Sequence, residues 1–481
     1  MSTSVPSDPS LSPCRSETES WVWEEVCAGR VADLNARCGV RLDPCDSTDN
    51  RWFDEQRRVG AAFIERVLTQ DPWRGALPHQ GLRIVGARVA EPLDLLSARI
   101  TSVFGLIGSR VESKVDFFQA RFDSSVYLDA TVFEAGINAN DLQVGGDLGL
   151  RRRAIVRNGP LLMGSANIAG HLALNGSAFT AGVELSGLRC GSLGLNGATF
   201  KSGDDKSEQP VRIMNSRIEG HLDLSGAELS GLELFGTTIG GDLRLVSSEA
   251  PALPRWRKNA RLGLRNVRAG GLRDNIGAWP PRLGLLGFVY DRLGGRGGGE
   301  DAVGERPVSW YVDWLARDGT FSRQPYQQLA AIFRGAGYPD RADAVLYAAR
   351  ERERKETWKR GKRIEAAGLW LLKITIGYGL GARMFRILYW VAGLTILGAG
   401  VLWFFAPEAQ SRGPLWCLWA SLGHLLPVVK LNKEIVDFFD GAKGPIKDGW
   451  RYHFFMMQSL LGFLLGAFVV AGVSGLTQAR K

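Results

Sequence analysis

The chain is short of the residues that build catalytic and metal centres. Its 481 residues include 5 histidines and 6 cysteines. The cysteines, at 14, 27, 38, 45, 190 and 417, form no Cys-x-x-Cys pair and no framework spacing. Neither a zinc site nor a disulfide scaffold is therefore expected, and the set reads as a reduced, cytosolic one. His171 and His221 occupy equivalent Gly-His-Leu corners, which stacking would hold about 9–10 Å apart, too far for one metal ion. A nucleophile elbow, a Walker sequence and a dinucleotide fingerprint after a strand are all missing. So is the basic flank and apolar core of a signal peptide at the N-terminus. The expectation from these absences is no enzyme, no cofactor and no metal.

What the sequence does have is a beat of eleven residues. Apolar pairs separated by one residue recur at Leu82/Ile84, Leu93/Leu95, Phe104/Leu106, Val115/Phe117, Val126/Leu128, Ile137/Ala139 and Leu148/Leu150. They resume after a two-residue slip at Leu161/Met163, Leu172/Leu174, Val183/Leu185 and Leu193/Leu195. An insertion at Lys201–Pro210 interrupts them, and they return from Val211/Ile213 to Leu243/Leu245, with a faint copy at Leu262/Leu264. Such self-similarity signals a solenoid. Each copy holds two short alternating units, which is strand geometry, with Gly, Asn and Ser where corners turn. Two copies make one four-sided coil of about 22 residues, so sixteen copies predict roughly eight coils stacked 4.8 Å apart.

The fuller copies, such as Leu222-Asp-Leu-Ser-Gly-Ala227-Glu-Leu229, carry a small residue two before a central Leu or Phe. In this they resemble the pentapeptide-repeat proteins, with one extra residue per half-coil. The whole layout is similar to a group of bacterial proteins that join such repeats to a membrane tail. Three features carry the likeness: Trp23-Glu-Glu-Val-Cys-Ala-Gly, the Gly-Gly-Asp-Leu turns at 145–148 and 240–243, and Gln324-Pro-Tyr-Gln-Gln-Leu-Ala. Members are labelled pentapeptide-repeat proteins or membrane-associated oxidoreductases, and no motif in this chain supports the second label. The resemblance implies a right-handed quadrilateral β-helix.

The ends of the solenoid need covering. Residues 1–18 read as a disordered tail, and 19–78 as a helical cap over the first coil. The solenoid is placed at 79–275, a Gly/Pro-rich linker at 276–307 and a helical adaptor at 308–363. Within the adaptor, Ala331, Phe333 and Tyr338 would pack against Ala342, Val345 and Leu346 as a helical hairpin.

Charge is distributed unevenly. The net charge is +9, yet residues 82–250 carry 19 acidic and 16 basic side chains. The excess lies at Arg350, Arg352, Arg354, Lys355, Lys359, Arg360, Lys362, Arg363, Lys373, Arg383 and Arg386, immediately before a long apolar run. That placement points to membrane lipid rather than nucleic acid. Ile387–Ala406 and Phe454–Val473 are each 20 residues long, with Gln458 the one strongly polar side chain in the second. Both are long enough to span a bilayer. By the positive-inside rule the basic belt is cytoplasmic, so both termini and the solenoid face the cytosol of a plasma (inner) membrane protein. Residues 364–481 form the membrane domain, its two spans making a transmembrane hairpin.

Between the spans, 414–431 is apolar but too short to cross. The expected arrangement is an amphipathic hairpin on the outer leaflet anchored by Trp416 and Trp419; the alternative is a re-entrant pore segment. The candidate pore or interfacial residues are then Trp416, Trp419, His424, Pro427 and Gln458. Thr375-Ile-Gly-Tyr-Gly379 is close to a potassium-filter motif, but it precedes the first span, with no earlier span to support it. It is expected to belong to an amphipathic lead-in, Ile364–Leu380, along the inner surface. The functional expectation is a membrane-anchored, non-enzymatic scaffold or sensor whose solenoid holds a protein partner. The alternative is an oligomeric ion channel or membrane-perturbing effector, for which Gly393, Gly398, Gly400, Gly462, Gly466 and Gly472 would permit close packing and self-association.

Overall fold

The structure is a computed structural model that describes residues 13–200, 210–246, 252–294, 306–426, 433–439, 444–446 and 449–478. The chain divides into two compact units, Met1–Gln328 and Leu329–Lys481. The first is a parallel β-solenoid of about nine turns with a 22-residue period.

The period follows from the register. Leu82 pairs with Phe104, Phe104 with Val126 and Val126 with Leu148, and the same stack continues through Leu172, Leu193, Leu222, Leu243 and Leu272. A second wall aligns Val89, Val111, Phe133, Val156, Phe179 and Phe200, and a third aligns Leu93, Val115, Ile137 and Leu161. The fourth carries Ile100, Phe122, Val144, Ile168, Cys190, Ile218, Ile239, Ala269 and Tyr290. These side chains fill the axis and are buried. Each Val, Leu, Ile or Phe among them contributes about 1.5–3 kcal/mol of apolar burial only because the next coil covers it.

The corner after each inward pair is left-handed. In the early coils it is occupied by Ser97, Gln119, Ala130 and Asp141, with φ of 52°, 54°, 55° and 56°. Where the sequence reads Leu-Asn-Gly or Leu-Ser-Gly, Gly197 and Gly226 take the same corner at 66° and 67° without steric cost. This is the physical meaning of the Gly and Asn seen between units of the repeat.

The rod runs further than the repeat count predicted. Strands Arg282–Gly284 and Val289–Tyr290 lie in the stretch expected to be a linker, and Arg261–Gly263 pairs in register with Arg282–Gly284. The Gly, Pro and Arg composition hid a copy whose side chains, Leu283, Leu285, Phe288 and Tyr290, are as buried as those before it. Residues 295–305 of that stretch, like the insertion at 201–209, lie outside the described residues.

Both ends of the rod are capped. At the N-terminal end, α1 (Glu17–Cys27) starts at Ser16, whose hydroxyl accepts from the Glu19 amide, within the stretch expected to be a disordered tail. Strand Ala32–Asp33 adds to the first coil at Ile84 and Val85, and α2 (Ala61–Thr69) buries Phe63, Ile64, Val67 and Leu68. Arg57, 1% exposed, ties the cap together by donating to Asn35 Oδ1, Gly86 O and Val40 O. At the other end, α3 (Val308–Ala316) and the start of α4 (Gln324–Gly335) cover the last coil. Asp318 Oδ2 accepts from the Leu285 amide, Gln324 Oε1 accepts from the Gly287 amide, and the Gln324 and Gln328 amides donate to Phe288 O and Tyr290 O. Side chains thus replace the missing next strand, which keeps the sheet edge from pairing with another chain.

The second unit is helical. It contains α5 (Pro339–Lys359), α6 (Arg363–Ile376), α7 (Arg386–Phe405), α8 (Pro414–Leu425), α9 (Lys433–Phe439) and α10 (Trp450–Gln478). Phe333, Ala342 and Val345 are fully buried where the expected hairpin between the end of α4 and α5 was placed, but Tyr338 is 42% exposed at its turn. Among the described residues, one helical run is long and apolar enough to cross a membrane, Gly381–Phe405, with a mean hydropathy of 1.9. The two-helix transmembrane hairpin is therefore met by one such helix; the second expected span lies on α10, whose side chains from residue 469 onward fall outside the described ones.

Candidate functional site

The basic belt splits into paired and unpaired cations. On α5 and α6, Arg350 pairs with Glu353, Arg354 with Glu351, Lys359 with Glu356 and Lys362 with Glu365, at 2.9–3.3 Å. Arg352 is half-buried. Lys355, Arg360, Arg363 and Arg386 are exposed and meet no carboxylate among the described residues. Arg383 stacks over the Tyr347 ring, 4.5 Å from its centroid. The eleven cations between Arg350 and Arg386 outnumber the four carboxylates there, Glu351, Glu353, Glu356 and Glu365, so the stretch stays positive with the pairs formed.

The filter-like motif is a turn. Gly377, Tyr378 and Gly379 have φ of 56°, 63° and 70°, ending α6 and redirecting the chain toward α7. A bulky residue at such φ is costly, and Tyr378 is held there by its hydroxyl, which donates to Glu351 Oε1 at 2.6 Å. Lys373 Nζ reaches Glu351 Oε2 at 2.9 Å, so one carboxylate on α5 collects the turn and the end of α6. Burial alone would raise the Glu351 carboxyl, but hydrogen bonds from Tyr378, Lys373 and Arg354 outweigh it and hold the group below the usual range. Trp390 Nε1 donates to Ile374 O at 3.0 Å, fastening the first turn of α7 to the end of α6. The spacing that mimics a filter is therefore spent on the corner between two helices.

The remaining candidates converge, apart from Pro427, which lies outside the described residues. α8 packs against both α7 and α10. Gln458, 2% exposed, donates from Nε2 to Leu394 O and to Ser421 Oγ, both at 3.0 Å, so one side chain links all three helices. Its Oε1 is buried without a hydrogen-bond partner among the described residues. Close approach is permitted by glycine: a Cβ on Gly398 would fall 2.3 Å from Ser421 Oγ, and one on Gly462 only 1.7 Å from Leu425 O. His424 Nε2 lies 3.0 Å from Phe455 O, and its ring stacks on Phe439 at 4.2 Å. Trp416 packs edge-on to Phe438 under Arg412. Trp419 is 51% exposed. α8 is thus a helix packed against two others. Ser421, the partner that completes the polar contact, was not singled out in the sequence, where a serine at helical spacing carries no distinguishing mark.

On the rod, ionic groups are largely spent between coils. Arg88 pairs with Glu112, Arg110 and Arg157 with Glu134, Arg99 with Asp123 and Arg151 with Asp129. Leu96, Phe235 and Leu286 each follow an inward pair at the same corner and stay 54%, 42% and 49% exposed. His171 and His221 lie two coils apart, as the repeat required, aligned through Ser192 and Leu193. The His221 imidazole accepts from the Asp242 amide, and burial lowers its pKa. Cys190 points into the axis, where burial pushes its thiol up to about 12. Among the described residues no group of three or more His, Cys, Asp or Glu could hold a metal ion. A cleft of about 700 Å³ lies where the cap loop around Arg41 and Pro44 meets the wall at Val85, Ile107, Ala130 and Arg152. Comparison of the chain with protein-family models, with curated proteins and with solved structures gave no match.

Proposed function

We propose that the chain is a membrane-anchored, non-enzymatic scaffold or sensor that presents a capped, pentapeptide-repeat-like solenoid to a protein partner. The observation that carries this reading is the run Gly381–Phe405, whose most apolar window is only 28% buried by the rest of the chain. A core helix of a soluble protein would be covered; this one presents bare apolar surface and is preceded by unpaired cations. On this reading α7 and α10 are the two spans of an inner-membrane protein, and both termini and the rod are cytoplasmic. The rod offers the partner flat walls and exposed apolar corners at Leu96, Phe235 and Leu286. Function is argued from those surfaces, since the fold alone specifies none.

A second reading, an oligomeric channel, has one observation in its favour. Gln458 lies eight residues into α10 and Leu394 eight residues into α7, about 12 Å along each helix. Ser421 meets them there, so on this reading α8 dips into the bilayer in the manner of a re-entrant helix. Against conduction, Gln458, Gly398 and Gly462 close the contact tightly within one chain. Ion flux into liposomes carrying the full-length protein separates the readings. The scaffold predicts none under any gradient, whereas flux abolished by Gln458→Leu would make the tail a pore and the rod its regulator.

A further inference from the structure

α6 has two unlike faces. Ala366, 2% exposed, and Ile376, 6% exposed, are buried, and Lys373 on the same side holds Glu351 of α5. On the other, Ile364, Ala367, Gly368, Trp370 and Leu371 fall within one arc at helical spacing, and none is charged. Ile364 is 90% exposed, Trp370 50% and Leu371 42%, and Trp358, near the end of α5, is 58% exposed. A bare apolar stripe of this kind on a soluble surface is unusual. Around its start stand the exposed cations Lys359, Arg360, Lys362 and Arg363, with Lys355 a turn further back on α5; Lys355, Arg360 and Arg363 have no carboxylate partner among the described residues.

We infer that α6 lies in the headgroup layer of the cytosolic leaflet and that its flanking cations gather anionic phospholipid there. This rests on the anchoring reading above. The geometry is fixed at one end, because Trp390 at the mouth of α7 is bonded to Ile374. A 14-residue helix is about 21 Å long. Were α6 to stand upright, the cations at its start would be that far from the membrane surface, beyond a Debye length of about 8 Å, with the Ile364–Trp370–Leu371 stripe in water. Laid flat, it puts the stripe at the acyl boundary and the cations among the phosphates, as in an interfacial amphipathic helix. Each cation near an anionic leaflet favours contact enough to enrich such lipid several-fold. The uncharged stripe and positive rim together select an anionic bilayer surface.

The test uses full-length protein in phosphatidylcholine nanodiscs containing brominated phosphatidylglycerol or, at equal mole fraction, brominated phosphatidylcholine, with tryptophan fluorescence as readout. Quenching by the anionic lipid is expected to exceed quenching by the neutral one by a part of the emission that Trp358 and Trp370 contribute. That excess should vanish both in Trp358→Phe/Trp370→Phe and in Lys355→Gln/Arg360→Gln/Arg363→Gln, whose changes are all at exposed positions. Equal quenching by the two lipids, or an excess that survives in the double Phe variant, would overturn the inference while leaving the anchor intact. Protein that does not stay with the nanodisc on gel filtration would overturn the anchor and this inference with it.

Discussion

Replacing Gln324 and Gln328 by alanine should unravel one coil of the rod and little else. These two side chains supply three hydrogen bonds to the last coil: Gly287 N–H to Gln324 Oε1 at 2.9 Å, Gln324 Nε2 to Phe288 O at 3.0 Å and Gln328 Nε2 to Tyr290 O at 2.6 Å. At about 1 kcal/mol net for each, the double variant loses about 3 kcal/mol of local stability. Since 1.4 kcal/mol is a factor of ten, opening of that coil becomes about 100-fold more frequent. Solenoid stability is a sum of nearest-neighbour terms, so the loss should stay at the end where it is made. Hydrogen exchange followed by mass spectrometry reads this directly: amides of 283–290 lose protection, while those of the coil starting at Leu82 keep theirs. Gln327→Ala is the control, the same change on the same helix at an exposed position. Exchange of 283–290 that is no faster in the double variant than in the control would refute the capping argument.

The Glu351 cluster makes a pH prediction. Its carboxyl is depressed in the folded state, so it contributes stability above the ordinary glutamate pKa of about 4.3, and that contribution is lost as pH falls through the folded value. Thermal melts at neutral pH and at about pH 3.5 should show an acid-sensitive α5–α6 contact. Glu351→Gln should remove that sensitivity, and an unchanged pH response in this variant would contradict the assignment. Gly462→Leu should destabilise the three-helix contact by about 1–3 kcal/mol, because its Cβ meets backbone at Leu425, whereas a Cβ at Gly466 meets nothing within 4 Å among the described residues. Detergent-solubilised melts that fall equally for both would show that the close approach is not what matters. Cys190 should resist thiol reagents until the rod unfolds, given its thiol raised to about 12; modification in the native protein would contradict its place in the axis.

The solenoid was legible because its signal is covalent in origin. An inward pair must recur wherever a wall of the coil recurs, and Leu82, Phe104 and Val126 show this without any structure. The last coil was missed although Arg261-Leu-Gly-Leu264 is repeated letter for letter at Arg282-Leu-Gly-Leu285. Surrounding Gly, Pro and Arg suggested a linker, and composition outweighed a period that should have decided the matter. The Gln324-Pro-Tyr-Gln-Gln stretch carries a family resemblance, but its role as a substitute strand depends on where the last coil ends, which no local pattern reveals.

The tail was legible in part. Apolar length marks Gly381–Phe405, and the cations gather before one end of it. Which cations are already paired depends on helix phase and on the packing of α5 against α6, so Lys355, Arg360 and Arg363 could not be told from Lys359 and Lys362 by counting. The meeting of Leu394, Ser421 and Gln458 was hidden for a related reason. It joins three segments far apart in sequence, and only Gln458 stands out, as a polar side chain in an apolar run.

The central claim is that α7 and α10 hold the rod at a membrane. Alkaline carbonate extraction of membranes from cells expressing the full-length chain tests it most directly. The account predicts that the protein stays in the membrane pellet and is released only by detergent. Recovery in the alkaline supernatant would contradict it, and would return Gly381–Phe405 to the core of a soluble assembly.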